Sequence, residues 1–301
     1  MKGRGVRQVE IGISIKGVTH QFGKSPVFEK LDLDFEKNKI YGLLGKNGSG
    51  KTTLLNLIGG QLGLQEGEIR LWGEQAGHTP TILEKVCLVT EREFGNEEEK
   101  VKNIFKLYQG FYENYNVALE KRLCEYYKLP LNKPYKKYSR GMKSLVSNII
   151  GICSRAELTL FDEPTLGLDA VNREQIYSIL LEDYIQNPRT IILSTHLIEE
   201  VQHLLEKVVI IDKGQVLVHD EIEALKERAW IITGDRQALV QLECLKGKEI
   251  KAQLGNRASM SYYGLLSKED KKKMAEQGIQ VENIGLQQLF IEWTKGEVFE
   301  L

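Results

Sequence analysis

The chain is 301 residues long and 42 % hydrophobic, enough to bury one large domain with an appendage, or two small domains. Lys and Arg total 41 against 42 Asp and Glu, so the basic surplus that drives binding to nucleic-acid phosphates is absent and no nucleic-acid partner is expected. Cys87, Cys124, Cys153 and Cys244 share no CxxC or CxxH spacing, which argues against a zinc site or a disulfide framework and leaves buried thiols.

The basic N-terminus, Met1 to Arg7, precedes no long apolar run and is not expected to be a secretory signal. The longest apolar-leaning stretch, Leu145 to Cys153, is interrupted by Ser147 and Asn148 and falls far short of a membrane span. Work at a membrane would need another chain to cross it. In chain order, Gly12–Ile15 and Leu31–Phe35 alternate like strands and predict an antiparallel layer. Ile40–Leu44 reads as a buried parallel strand. Thr52–Gly59 reads as a helix whose core side is Leu54, Leu55, Leu57 and Ile58. From Glu97 to Ser154 the pattern is helical, with Phe105, Tyr108, Phe111, Tyr112 and Tyr115 as core aromatics. The basic loop Lys133–Lys137 reads as a solvated face. Leu158–Phe161, Thr190–Ser194 and Val208–Asp212 are further buried strands, separated by helices over Asn172–Ile185 and Leu197–Glu206. Strands alternating with helices predict a mostly parallel α/β sheet. After about Glu227 the pattern weakens into an appendage.

Gly45-Lys46-Asn47-Gly48-Ser49-Gly50-Lys51-Thr52 fits the phosphate-loop pattern G-x-x-x-x-G-K-[ST] between a predicted strand and a predicted helix. The glycines let backbone N–H groups curl around phosphate oxygens, and the helix that follows points its positive end at the same place. Lys51 supplies a cation for the terminal phosphates, and Thr52 an oxygen for Mg²⁺. Leu158–Phe161 then delivers Asp162 to the C-terminal end of a strand, where open α/β sheets bind ligands. Asp162 is a candidate Mg²⁺ ligand, and Glu163 a candidate general base for an attacking water.

Over about residues 10–225 the sequence resembles the ATP-binding-cassette (ABC) family. Asp162-Glu163-Pro164-Thr165 is similar to its Walker B segment, Gly167-Leu168-Asp169 to its D-loop, and His196 to its switch histidine. Phe22 stands where the family places a base-stacking aromatic, usually Tyr. Two motifs depart from the family pattern. The signature, usually Leu-Ser-Gly-Gly-Gln, reads Tyr138-Ser139-Arg140-Gly141-Met142. Arg140 in place of glycine takes conformational freedom from the loop. Met142 removes the hydrogen bonds of a glutamine. In the Q-loop, Val86-Cys87-Leu88-Val89-Thr90-Glu91 resembles the family's preceding strand and puts Glu91 in place of glutamine. A carboxylate there can face the metal, while the alternative leaves Glu91 an exposed acid.

The resemblance implies ATP and Mg²⁺ as cofactors. It implies nucleotide contacts from Phe22, Gly45, Lys46, Asn47, Gly48, Ser49, Gly50, Lys51, Thr52, Thr53, Ser139, Gly141 and Asp169. Metal contacts would come from Thr52, Glu91 and Asp162, and catalysis from Lys51, Glu163 and His196. The expected fold is a RecA-like P-loop NTPase core with an antiparallel β layer. It would span 9–226, with an inserted helical subdomain at about 97–154 and a small C-terminal domain at 227–301. Two cassettes, identical or homologous, would sandwich ATP head to tail beneath integral membrane permease subunits. The chain would lie in the cytoplasm, peripheral on the inner face of the membrane. The C-terminal segment Ile284–Phe290, the variant signature and Glu91 also resemble ATPases that export drugs or antimicrobial peptides. The rival classes are a soluble, non-transport cassette ATPase and a cassette that binds ATP as a switch. Copurification with a polytopic membrane protein separates the first from a transporter, and steady-state ATPase activity tests the second.

Overall fold

The computed structural model describes residues 10–76, 79–90, 98–242, 252–254 and 256–294. Glu91, Cys244 and Met1–Arg7 lie outside the described residues. The chain divides into two compact units, Met1–His219 and Asp220–Leu301.

The first unit opens with β1 (Ile11–Phe22), β2 (Ser25–Glu36), β3 (Ile40–Leu44), α1 (Lys51–Ile58), β4 (Glu66–Leu71) and β5 (Glu74–Gln75). It continues through α2 (Pro80–Leu83), β6 (Val86–Val89), α3 (Val101–Phe111), α4 (Val117–Tyr126) and a 3₁₀ turn at Tyr135–Lys137. There follow α5 (Arg140–Ser154), β7 (Leu158–Asp162), α6 (Ala170–Gln186), β8 (Thr190–Ser194), α7 (Ile198–Val201), β9 (Lys207–Asp212) and β10 (Gln215–Glu221). Two sheets result. One is antiparallel, in the order β2-β1-β4-β5. The other, in the order β10-β9-β3-β8-β7-β6, runs parallel from β9 to β6.

Every residue of β3 and β8 is buried, as the continuous apolar runs predict for strands covered on both faces. The antiparallel layer turns Ile13, Ile15, Val18, Leu31, Leu33 and Phe35 into one core with Leu54 and Leu55 of α1 and Ile192 and Val209 of the parallel sheet. Its strands are longer than the alternation suggests. Register shifts between Ile15 and Val18, where Gly17 has φ 59°, hide the period of two, which resumes with Val18 and His20 buried. The helix expected over Leu197–Glu206 is confined to Ile198–Val201. Glu206 is drawn out of it by its N–H donating to Ile40 O at 3.0 Å and by Tyr184 donating to its carboxylate at 2.6 Å, which starts β9.

Cys87, Cys124 and Cys153 are free and buried. Asp183, 3 % exposed, receives Arg189 at 2.8 Å and Arg155 at 2.8 Å. Arg189 also donates to Ile152 O at 3.3 Å, and burial lowers the pKa of its guanidinium. This pair ties α6 and the start of β8 to the end of α5.

The second unit contains α8 (Ile222–Arg228), β11 (Ala229–Asp235), α9 (Arg236–Gln241), β12 (Ala252–Leu254), β13 (Arg257–Tyr263), α10 (Lys268–Glu276), β14 (Gln280–Asn283) and α11 (Leu286–Thr294). Its sheet, β12-β13-β11-β14, is antiparallel throughout. From β11 to β14 the element order is the β-α-β-β-α-β of a ferredoxin-like module. Trp230, Ile232, Ala258, Met260, Met274 and Ile279 form its own core.

Replacing Asp183 by Ala leaves Arg189 buried without its carboxylate, and a loss of about 3–5 kcal/mol of stability is expected. Urea unfolding of the variant measures it. A loss under about 1 kcal/mol would mean that the buried pair holds nothing together.

Candidate functional site

The site lies at the C-terminal ends of β3, β8 and β7, the place where open α/β sheets gather ligands. β3 ends at Leu44, and the loop Gly45–Gly50 delivers the chain to the N-terminus of α1. Gly50 is the cap of that helix, with φ 107°. A β-carbon there would lie 2.7 Å from Phe28 Cζ, so only glycine fits both the backbone and the packing. Lys51 is 7 % exposed, and its ammonium donates to Gly45 O at 2.7 Å and Lys46 O at 3.1 Å. The loop is thus folded around its own cation. Burial lowers the Lys51 pKa, and the Glu163 and Asp162 carboxylates push it back up. The first N–H groups of α1 have no acceptor within the helix, which leaves donors for an anion beside Lys51.

β7 places Asp162 two strands away from the phosphate loop, across β8. Asp162 Oδ1 is buried and has no hydrogen-bond partner. A bare carboxylate oxygen next to a phosphate-binding loop suits Mg²⁺, which takes one or two protein oxygens and completes its shell with phosphate and water. Thr52 stands one residue beyond Lys51 in the first turn of α1. Among the described residues no three His, Cys, Asp or Glu side chains converge into a closed metal cage.

Glu163 has φ 49°, a left-handed conformation costing roughly 1–3 kcal/mol in a residue with a side chain. Its neighbours hold it there. Its N–H donates to Ser194 O at 2.9 Å, and the next carbonyl, Pro164 O, accepts from Ser144 Oγ at 2.6 Å and Asn148 Nδ2 at 2.6 Å, both on α5. The strained turn brings the Glu163 carboxylate to His196, with Oε2 and Nδ1 2.9 Å apart. His196 stands two residues beyond the end of β8, and its side chain is half exposed.

The remaining sequence-read residues are placed as follows. Phe22 stands at the end of β1, half exposed, with the His20 ring edge-on at 5.0 Å. His20 pairs in register with Phe28, the ring that packs on Gly50, so one hairpin links Phe22 to the phosphate loop. Ser139 caps α5, accepting the Met142 N–H at 3.3 Å. A β-carbon on Gly141 would lie 2.7 Å from Gly167 O, which places the start of α5 against the D-loop of the same chain. Asp169 uses both carboxylate oxygens on Asn172, at 2.9 Å each, to cap α6. Lys46, Asn47, Gly48, Ser49 and Thr53 lie along the loop and the first turn of α1. The motifs do not reveal Phe28, Ser144 or Asn148, whose roles depend on packing between distant segments. The left-handed turn at Glu163 has no residue signature at all.

A phosphate loop, a buried lysine and a strand-end carboxylate make this a P-loop nucleotide hydrolase. The ABC transporter family model matches residues 28–166. Among relatives, the ABC transporter ATP-binding protein YtrB of Bacillus subtilis is 25 % identical over 261 residues, covering 87 % of this chain and 88 % of the relative. The bacitracin transport ATP-binding protein BcrA of Enterococcus faecalis is 30 % identical over 229 residues, covering 73 % and 72 %. A solved ATP-binding subunit of an ABC transporter superposes with a TM-score of 0.63 at 22 % identity, covering 71 % of this chain and 92 % of that one. The chain belongs to the ABC transporter ATP-binding proteins.

The Gly141 contact gives a test within one chain. Gly141→Ala forces the D-loop backbone to move, so a lower melting temperature and lower ATPase activity are expected together. Within its own chain Ser139→Ala loses a helix cap, about 1 kcal/mol. A Gly141→Ala protein that melts like the wild type would show that the two loops do not pack as described. The same contact makes a charged residue at Gly141 a steric change first, so Ser139 is the cleaner probe of a subunit boundary.

Proposed function

We propose that this chain hydrolyses ATP through Lys51, Glu163 and His196 and turns that cycle into substrate movement by membrane subunits. The convergence of Lys51, Asp162 and the Glu163–His196 pair at one end of the parallel sheet carries the reading. Lys51 exchanges its loop carbonyls for the terminal phosphate oxygens, joined by the backbone N–H groups of Gly45 to Thr53. The ring of Phe22 stacks on the adenine. Mg²⁺, when bound, supplies positive charge at the phosphates, and Thr52 and Asp162 Oδ1 would hold it. Glu91 is the proposed further oxygen. Glu163 takes the proton of the attacking water as the water oxygen bonds to the γ-phosphorus and the bond to the bridging oxygen breaks. His196 orients the Glu163 carboxylate through Nδ1 and faces the departing phosphate.

Ser139 and Gly141 of one chain would close on the γ-phosphate held by a second cassette, identical or homologous, with Asp169 at the same boundary. The ATPase domain is proposed to span 9–226 and the accessory domain 227–301. No helix among the described residues is long and apolar enough to cross a membrane. Separate integral membrane permease subunits would therefore form the path, with this chain peripheral on the cytoplasmic face. Export is the favoured direction, supported by the likeness to a bacitracin transport protein.

Glu163→Gln keeps the shape but accepts no proton. ATPase activity should vanish, ATP binding should persist, and a dimer should accumulate on size-exclusion chromatography with ATP and Mg²⁺. Turnover at the wild-type rate would remove Glu163 from the base role. Lys51→Ala should lose nucleotide affinity itself. Ligand at 100 times its Kd stabilises a protein by about 2.7 kcal/mol, so MgATP should raise the melting temperature of the wild type and leave the variant nearly unmoved. Equal shifts would mean that the loop does not hold phosphate.

A further inference from the structure

One buried hydroxyl outside the motifs lies between the two loops of the hydrolytic pair. Tyr177, within α6, is 1 % exposed, and its hydroxyl meets Thr165 Oγ1 at 3.1 Å. Thr195 is a second polar neighbour of the same hydroxyl, and its own Oγ1 accepts from Leu197 N–H at 3.0 Å. Both threonines are buried, at 3 % and 1 % exposure. Thr165 stands two residues after Glu163, and Thr195 immediately precedes His196. The phenol therefore lies, inside the core, beside the two loops whose side chains meet outside it at 2.9 Å, and is bonded to the first of them.

The rest of α6 reinforces that position. Asp169 caps its first turn, which fixes the helix to the segment that follows Thr165. One turn before Tyr177, Arg173 pairs with Glu200 of α7 at 3.1 Å, on the chain just beyond His196. Thus α6 is tied to the segment after Glu163 through Tyr177 and to the segment after His196 through Arg173. Burial pushes its phenol up to about 12, so the proton stays in place at neutral pH. A tyrosine needed only for its bulk could be a phenylalanine here. The hydroxyl gives the position a polar task, because the buried Thr165 hydroxyl pairs with it.

We propose that Tyr177 is a positioning residue for ATP hydrolysis, its hydroxyl bridge to Thr165 anchoring the loop of Glu163 on α6, which Arg173 ties to the chain beyond His196, and so holding the two loops in register. The proposal rests on the reading of Glu163 and His196 as the hydrolytic pair. Without the bridge the carboxylate loses its fixed position relative to the histidine, and a displacement of a reacting group by about 1 Å can slow a reaction on the order of a hundredfold. Lys51 and the phosphate loop are held by other contacts, so nucleotide binding should be spared.

The test compares steady-state ATPase activity of the full chain with Tyr177→Phe, Thr165→Val, Thr165→Ser, the Tyr177→Phe/Thr165→Val double variant and Glu163→Gln. Tyr177→Phe should lower kcat about tenfold, equivalent to about 1.4 kcal/mol of barrier, with KM for ATP within about twofold. Thr165→Val should fall similarly, and Thr165→Ser, which keeps the hydroxyl, should retain wild-type kcat. The double variant should be no slower than the slower single one, because both remove the same bridge. A purely structural role would lower the melting temperature without this kcat-only, non-additive pattern. If Glu163→Gln abolishes turnover while Tyr177→Phe keeps wild-type kcat, or if Thr165→Ser falls as far as Thr165→Val, the positioning role is overturned and the site reading stands. If Glu163→Gln itself turns over normally, the hydrolytic pair is wrong and the positioning role falls with it.

Discussion

A lysine ammonium buried at the tip of a parallel sheet, held by two carbonyls of its own loop, is the constraint on which the site depends. A buried cation needs compensation, and the loop from Gly45 to Gly50 supplies it only by curling back toward Lys51. That curl needs the left-handed backbone of Gly50, and the Phe28 ring leaves room there for nothing larger. It also needs a strand ending at Leu44 and a helix starting at Lys51, so the fully buried β3 and the apolar side of α1 belong to the same requirement. The carboxylates of Asp162 and Glu163 add the opposite charge across β8.

Around that cation the helices act as fixtures for strained or bare groups. Glu163 adopts a left-handed backbone, and α5 secures it through Ser144 and Asn148 on the following carbonyl. The D-loop lies between the start of α5, through Gly141, and the start of α6, through the Asp169 cap. Residues that would meet a second cassette, Ser139 and Asp169, thus already have tasks in their own chain. Movement of either helix would be felt at the Glu163 turn, which would give the proposed dimer closure a physical route to hydrolysis.

What the sequence made legible follows from how locally each feature is encoded. β3 and β8 were readable to the residue because strands covered on both faces are continuous apolar runs with sharp ends. The phosphate loop and Asp162-Glu163 were readable because phosphate and metal binding demand residue types at fixed spacing. β1 was read short because the bulge at Gly17 breaks its alternation. α7 is shorter than its pattern suggests, and the contacts that hold Glu206 outside it reach Ile40 and Tyr184, far away in sequence. The C-terminal sheet was missed as a sheet, although Ser267 and Asp270 form a capping box that marks α10 and the segment Ala258–Ser261 alternates. Tyr177, Phe28 and Asn148 carry no motif, because their significance lies in what they touch. The metal-facing role proposed for Glu91 concerns a residue outside the described ones.

The proposed composite site, built from two cassettes, would make hydrolysis depend on assembly. Phosphate release from MgATP by the purified wild-type chain, measured across a wide range of protein concentration, tests this most directly. Turnover per chain should rise with concentration, as separate chains associate around ATP, and then level off. No phosphate release at any concentration, or turnover per chain that stays constant down to the most dilute sample, would contradict an ATP-hydrolysing cassette that completes its site with a second copy.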